Sequence, residues 1–323
     1  MIRPFAFAVP LYAAALAAKN AAYDRGWAKP QRLAWPVVSV GNLSVGGSGK
    51  TPLVIMLARL LARGKVHVDV LSRGYGRNDV DTVERVDPNG DASRFGDEPL
   101  LIARSAKVPV YLGASRFEAG SLAEHESAIP GIHLLDDGFQ HRRLARDLDI
   151  VVLHASDLDE GLLPAGRLRE PLSSLKRAGI IILRVEDRQR EEELRKRGIT
   201  APVWILHRKL LAENIAPAVA FCGIARPDEF FAGLRSQNVE IAATLVLRDH
   251  QVYSDREIDR LIAALRREGA KCFVTTEKDA VRLTSAQRAQ LEQVAPIRVA
   301  RLEISLEDEA AALRYLLATI VRK

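Results

Sequence analysis

The sequence predicts an α/β fold: a mostly parallel sheet with helices on both faces around a P-loop, joined by a smaller C-terminal α/β lobe and preceded by a membrane-associating helix. Three observations carry this expectation. A β-branched run, Val37, Val38, Ser39 and Val40, leads straight into Gly46, Gly47, Ser48, Gly49, Lys50 and Thr51, after which residues 52–61 read as a helix. Short apolar runs then alternate with helix-period stretches along the rest of the chain. Ahead of them all stands an uncharged, alanine-rich segment at residues 4–18.

The glycine-rich loop is a phosphate cradle by its chemistry. Glycines let successive backbone N–H groups turn inward, and the following helix adds its partial positive charge at the same point. Lys50 is placed to reach β- and γ-phosphates, and the Thr51 hydroxyl to hold Mg²⁺. Ser44 occupies the first position of the loop pattern, where glycine is usual, while Gly46 and Gly47 keep the loop permissive.

Taken in order, residues 4–18 carry Phe5, Phe7, Val9, Leu11, Tyr12 and Leu16, followed by Lys19, Arg25, Lys29 and Arg32 with only Asp24 opposing them. A spanning helix needs about 20 apolar residues, and Pro10 interrupts this one. A helix lying in one leaflet with basic flanks toward anionic headgroups fits better. A cleavable signal peptide, read from Arg3 and the tract Ala13, Ala14, Ala15, would export a nucleotide-dependent protein away from ATP; a core helix is the third reading. Strands are expected at residues 66–71, 108–112, 132–135, 150–153 and 180–183, with helices at 98–106 and 116–127 and a charge-dense solvated helix at 186–197. A second set follows, with strands near 218–221, 241–247, 272–275 and 297–302 and helices at 227–235, 255–267 and 306–321. A strand-like link begins at Thr200, Ala201 and Pro202, with a hinge near 200–215. The expected organisation is an N-terminal helix at 1–30, a nucleotide domain at 31–205 and a C-terminal lobe at 206–323. The nucleotide belongs near the cleft, at the carboxyl ends of the parallel strands.

A composition of 48% hydrophobic and 27% charged residues is that of a folded core, and a net charge of +6 suits anionic partners such as nucleotides, phosphorylated substrates or phospholipid surfaces. No zinc spacing or aromatic-interleaved basic motif points to nucleic acid, and no obligate protein partner is evident. Cys222 and Cys272 sit far apart in apolar runs and read as buried reduced thiols.

Several clusters carry candidate chemistry. The apolar run 132–135 ends in Asp136 and Asp137, as a Walker B partner to Lys50 requires; the alternative is a turn or helix cap. Gly138, Phe139, Gln140 and His141 continue it. Asp97 precedes a helix and is a credible N-cap. Asp249 and His250 place a carboxylate beside an imidazole at a strand exit, suited to orienting or accepting a proton. His133 and His154 lie inside strand patterns and are expected to be packed. Arg73 and Arg77 flank glycines, and Arg167 and Arg169 repeat the theme; both stretches suit an anionic ligand or ordinary solvated loops. Residues 275–279 are similar to the guanine-reading box of GTPases, but Lys278 touches Asp279 with no residue between, so the order is wrong.

Together, residues 42–52, 72–77, 96–99, 136–141, 163–171, 221–227, Asp249 with His250, and 276–279 closely resemble the tetraacyldisaccharide 4'-kinase family of lipid A biosynthesis, in order across nearly the whole chain. The resemblance implies a peripheral or monotopic enzyme at the cytoplasmic face of a bacterial inner membrane. It would move the γ-phosphate of ATP to the 4'-hydroxyl of an acylated disaccharide 1-phosphate lipid, with Mg²⁺. It also implies that Ser48, Lys50 and Thr51 serve the phosphates and metal, that Asp136 and Asp137 serve the metal, and that Asp97 and His250 are the pair that activates the hydroxyl, Asp97 accepting the proton and His250 tuning or relaying it; neither membership nor sequence fixes which of the two carries it. Asn42, Arg73, Arg77, Gln140, His141, Arg167 and Arg169 are the candidates for substrate contact. The competing reading is a nucleotide-dependent switch or chaperone acting on a protein partner.

Overall fold

The computed structural model describes residues 6–47, 49–75, 77, 79, 81–212 and 217–321; Ser48, Gly76 and the start of the apolar run, with Arg3 and Phe5, lie outside the described residues. Twelve strands among the described residues form one sheet. They are β1 (Val37–Asn42), β2 (Val68–Ser72), β3 (Glu84–Arg85), β4 (Val110–Leu112), β5 (Ile132–Asp136), β6 (Leu148–Val152), β7 (Ile180–Arg184), β8 (Val203–Leu211), β9 (Ala218–Cys222), β10 (Ile241–Val246), β11 (Cys272–Thr276) and β12 (Ile297–Leu306). The α-helices are α1 (Val9–Asp24), α2 (Lys50–Arg63), α3 (Ala92–Phe95), α4 (Asp97–Ala106), α5 (Arg116–Glu126), α6 (Glu191–Lys196), α7 (Pro227–Ser236), α8 (Asp255–Glu268), α9 (Glu277–Arg282), α10 (Ser285–Glu292) and α11 (Glu309–Val321).

The strand order is β10-β9-β11-β12-β8-β7-β6-β1-β5-β2-β4-β3. All pairings are parallel except β12 with β8 and β3 with β4. The predicted link is the long strand β8, whose first residues pair with β7 in parallel and whose remainder pairs with β12 antiparallel, from Leu206↔Leu306 to Leu211↔Arg301. β12 repeats the device, joining β11 through Ile297 to Ala300 and β8 through the rest. Two extended strands thus weld two parallel blocks into one surface. The segment expected as a helix at 186–197 is instead a 3₁₀ turn (Val185–Arg190) followed by the short α6, where Glu191–Arg195, Glu192–Lys196 and Glu193–Arg197 pairs form at helical spacing.

Burial explains the central elements. Every residue of β1 is buried, as expected for a strand covered on both faces. On one face Val38 and Val40 share a cluster with Leu53, Leu57 and Leu61 of α2, whose apolar residues recur at helical spacing. On the other face, Gly41 lies against Phe139. Cys222 and Cys272 are both buried, as the apolar runs around them predict. His133 is fully buried between Asp69 and Glu124 with Trp35 stacked on its ring.

Helix α1 has no fully buried residue. Val9, Tyr12, Ala13, Leu16, Asn20 and Tyr23 form a half-buried stripe, while Phe7 and Leu11 point outward at 84% and 76% exposure. Among the described residues no helix is long and apolar enough to cross a membrane.

A Cβ added at Gly41 would fall 2.5 Å from Phe139 Cβ and 2.8 Å from its backbone nitrogen. Gly41→Ala is therefore expected to cost about 1–3 kcal/mol by overpacking. Urea unfolding should show a lower midpoint at unchanged slope; an unchanged midpoint would contradict the close approach.

Candidate active site

The strand-to-helix turn after β1 is built for anions. Gly46 and Gly49 take φ of +102° and +84°, and Gly49 caps α2. These left-handed values favour glycine at both positions. Asn42 is fully buried at the end of β1, where its amide nitrogen donates to the Ser44 carbonyl and its Oδ1 accepts from Lys50 Nζ at 3.0 Å. The residue thus braces the loop and aims its lysine. Segment 167–169 lies alongside like an added strand: Val45 N donates to the Arg167 carbonyl and Arg169 N to the Leu43 carbonyl. Arg167 covers Gly46 and donates to the Val45 carbonyl.

Asp136 and Asp137 arrive beside Lys50 from β5 in different states. Asp136 is buried at the strand end; Ser72 Oγ donates to its Oδ2, and its Oδ1 has no hydrogen-bond partner. Burial first, then the charges of Glu98 and Asp137, push its carboxyl up to about 7. Asp137, at φ +50°, turns to Arg169 (2.9 and 3.0 Å) and Lys50 (3.5 Å). Burial would raise it, but Lys50 and Arg169 outweigh burial and hold it low. An orphaned carboxylate oxygen next to Thr51 and a polyphosphate loop is the donor set Mg²⁺ takes: one or two carboxylates and a hydroxyl, completed by phosphate oxygens and water. The residues fit that ion.

Across the same cleft, about 1180 Å³ in volume, stands His250. It comes from the second block at φ +61°, and its Nδ1 lies 3.1 and 3.2 Å from the two carboxylate oxygens of Asp97. Asp97 opens α4 after the cap Gly96, and its Oδ1 accepts the Glu98 N–H. Arg282 grips Asp97 Oδ2 through Nε (2.7 Å) and Nη2 (2.6 Å), and its Nη1 reaches Asp279 at 3.1 Å. Burial alone would raise the Asp97 carboxyl, but the His250 hydrogen bond with the charges of Lys278 and Arg282 holds it far below the usual carboxylate range. Lys278 Nζ donates to Glu98 at 2.9 Å and to His250 Nε2 at 3.1 Å. An ammonium has no lone pair, so Nε2 is the acceptor and Nδ1–H faces Asp97.

Sequence reasoning missed Arg282, Lys278 and Glu98 as members of this site. The GTPase-like run is a helix cap: Thr276 Oγ1 accepts from Asp279 N, and the fully buried Asp279 also receives Gly223 N, Tyr253 OH and Arg282. Threonine three residues before an acid was the available signal. Of the remaining candidates, Arg73, Gln140, His141 and Arg169 line the cleft. Gln140 donates to the Asn42 carbonyl, and His141 is lowered to about 4 by burial and then by Arg116 and Arg146. Arg77 is buried and turned toward β3, donating to the Thr82 carbonyl near Glu84. His154 is not a strand residue; it caps a 3₁₀ turn and meets Arg226. A second cluster missed from sequence sets Arg184, Arg208 and Arg226 around Glu229, whose carboxyl they hold at about 2 against the opposing effect of burial.

The tetraacyldisaccharide-1-P 4'-kinase family model matches residues 1–321. A tetraacyldisaccharide 4'-kinase of Koribacter versatilis is 44% identical over 97% of this chain and 98% of its own length, and that of Geobacter metallireducens is 40% identical over 92% of each. Among solved structures, "apo" form LpxK from Aquifex aeolicus in complex with ATP superposes with a TM-score of 0.79 at 32% identity, covering 99% of this chain and all of that one.

Asp97→Asn should leave Arg282 partly uncompensated and cost about 3–5 kcal/mol at neutral pH, the usual loss for breaking a buried pair. Because the folded carboxyl is depressed, its stabilisation is fully present above about pH 4 and declines as pH falls toward the folded value. Unfolding curves of the two proteins should stay separated from pH 7 to pH 5 and converge only in stronger acid. Convergence already near pH 6 would contradict the assignment.

Proposed function

The chain belongs to the tetraacyldisaccharide-1-P 4'-kinase family, and within that activity we propose which residues bind, orient and move the proton. The protein is an ATP-dependent kinase that phosphorylates the 4'-hydroxyl of tetraacyldisaccharide 1-phosphate, the lipid A precursor; ATP and Mg²⁺ are its cofactors. The glycine loop, Lys50 and the α2 N-terminus hold the phosphates, and Thr51, Asp136 and Asp137 hold the metal. Mg²⁺ when bound neutralises phosphate charge and orients the phosphoryl group.

His250 Nε2 takes the proton of the 4'-hydroxyl as its oxygen attacks the γ-phosphorus and the bond to the β-phosphate oxygen breaks. The observation supporting this division is the Asp97–His250 contact at 3.1 Å with Arg282 on the far side of Asp97. A carboxylate held so firmly anionic is a weak base. It fixes the imidazole tautomer and stabilises the imidazolium that forms, so of the two residues between which the resemblance leaves the proton, His250 is the acceptor. Lys278 has Glu98 at 2.9 Å and Asp249 at 3.5 Å as partners when Nε2 turns to substrate. Arg73, Gln140, His141, Arg167 and Arg169 contact the acylated sugar, whereas Asn42 and Arg77 act from behind.

Residues 206–323 act as a lobe that delivers His250, and residues 31–205 as the nucleotide domain. The outward apolar face of α1, with its basic flanks, attaches the protein to the inner leaflet, peripherally or monotopically, at the cytoplasmic face of the inner membrane. The switch reading loses its support because the GTPase-like residues are spent on a helix cap.

Transfer of radiolabel from γ-labelled ATP to a disaccharide 1-phosphate lipid tests the activity. Lys50→Ala should cost orders of magnitude in kcat. Asp97→Asn and His250→Ala should each lower kcat with ATP binding retained, and their losses should be strongly non-additive, as for one proton-handling unit. A double variant whose loss equals the product of the single losses would refute the dyad. Removing residues 1–20 should weaken flotation with anionic liposomes more than ATP binding; undiminished flotation would refute the anchor.

A further inference from the structure

Helix α1 does more than present an apolar surface. On its half-buried side the Tyr12 hydroxyl donates to the Arg169 carbonyl at 2.7 Å, and Asn20 Nδ2 donates to Glu170 Oε2 at 3.2 Å. Glu170 is 1% exposed and is also held by Arg177 at 2.7 Å. Arg142 reaches the Asn20 carbonyl and Asp24 and lies over the Tyr23 ring; Lys19 donates to the Gln140 carbonyl. The contacts of α1 therefore fall on the two segments, 140–142 and 169–170, that frame the Asp137 carboxylate.

Segment 167–170 is held at several points. Its backbone pairs with Leu43 and Val45 of the phosphate loop on one edge and, at Leu168, with Gly161 and Leu163 on the other, and α1 adds the Tyr12 hydroxyl at the Arg169 carbonyl. From that position the Arg169 side chain makes two hydrogen bonds to Asp137, which in turn lies 3.5 Å from Lys50. One hydrogen bond from α1 thus reaches the Arg169 backbone and a second the side chain of the next residue, Glu170, beside the guanidinium that holds Asp137.

Resting on the kinase reading above, we propose that Tyr12 and Asn20 are positioning residues: the inward face of α1 sets Arg169, and through it Asp137, while the outward face attaches to the bilayer. The two faces are separable. Disturbing the inward face degrades Mg²⁺-dependent nucleotide handling without releasing the protein from lipid. Disturbing the outward face does the reverse.

The test uses the full chain in detergent with Tyr12→Phe, Asn20→Ala, and Leu11→Ser as the outward control. Three quantities are read for each: flotation on anionic phosphatidylglycerol vesicles, calorimetric affinity for ATP with and without Mg²⁺, and the Mg²⁺ concentration for half-maximal transfer. Loss of one such hydrogen bond predicts a roughly fivefold rise in the Mg²⁺ requirement for Tyr12→Phe and for Asn20→Ala. Their kcat should fall at constant lipid KM, their Mg²⁺-free ATP affinity should be unchanged, and they should float like the parent. Leu11→Ser should float poorly with an unaltered Mg²⁺ requirement. Unchanged Mg²⁺ dependence in both inward variants, or an equal shift in Leu11→Ser, overturns the proposal. If the parent moves no label to lipid, it is the kinase reading that fails, and the calorimetric Mg²⁺ dependence still decides the positioning role.

Discussion

The arrangement turns on one buried guanidinium. Arg282 is 8% exposed and lies between Asp97, from the block that carries the phosphate loop, and Asp279, from the block that carries His250. A buried cation is tolerable only when its charge is met, and here the two carboxylates come from chain segments far apart in sequence. Satisfying Arg282 therefore requires that α4 and α9 pack together, as they do. That packing brings His250 to an aspartate 153 positions away and leaves the imidazole with a defined tautomer. Asp279 ties the same guanidinium to the Thr276 cap, to Gly223 and to Tyr253, so the Asp97–His250 pair rests on a network continuous with the second core. Stability and chemistry share these atoms, which is why loss of Asp97 must be read in both.

The sheet supplies the frame for that contact. Because β8 and β12 each belong to a parallel block at one end and to a common antiparallel ribbon at the other, the blocks cannot drift apart without breaking ladder hydrogen bonds. The carboxyl ends of β1, β5, β9 and β11 feed loops into one cleft, where open α/β sheets bind ligands. The cluster of Arg184, Arg208 and Arg226 around Glu229 makes a second crossing between the blocks, from β7 and β8 to α7. Arg184 also lies 3.8 Å from Glu186, so three guanidinium groups meet two carboxylates in this part of the cleft lining.

Legibility in the sequence followed from how local each signal was. The phosphate loop was readable because its chemistry needs glycines, lysine and threonine within a few residues of a buried strand. Asp136 and Asp137 were readable because an apolar run ending in two acids is short and distinctive. The Asp97–His250 pairing rested on family resemblance, since no spacing rule links residues so distant. Arg282 and Lys278 were illegible because an arginine and a lysine on a charged helix look like a solvated face until the fold turns them inward. Asn42 looked like a ligand contact but is consumed by Ser44 and Lys50. The bridging strand β8 was seen only as a link, because its hydrophobic pattern changes where it leaves one block and enters the ribbon.

The neighbouring acids Asp136 and Asp137 show how one backbone turn divides labour. Had the strand continued, successive side chains would simply have pointed to opposite faces. The left-handed φ of Asp137, a conformation aspartate tolerates better than most residues, instead swings its carboxylate to Lys50 and Arg169. That carboxylate is compensated by protein cations and stays ionised. Asp136 remains in the strand, buried and half satisfied by Ser72, and its carboxyl climbs to about 7. Its charged form is costly there, and Lys50 and the Ser72 hydroxyl offset that cost only in part. The pair thus holds one carboxylate ionised against protein cations and one pushed up by burial. Burial at the end of β5 sets the state of Asp136, whereas Lys50 and Arg169, the latter with its carbonyl held by Tyr12 of α1, set that of Asp137.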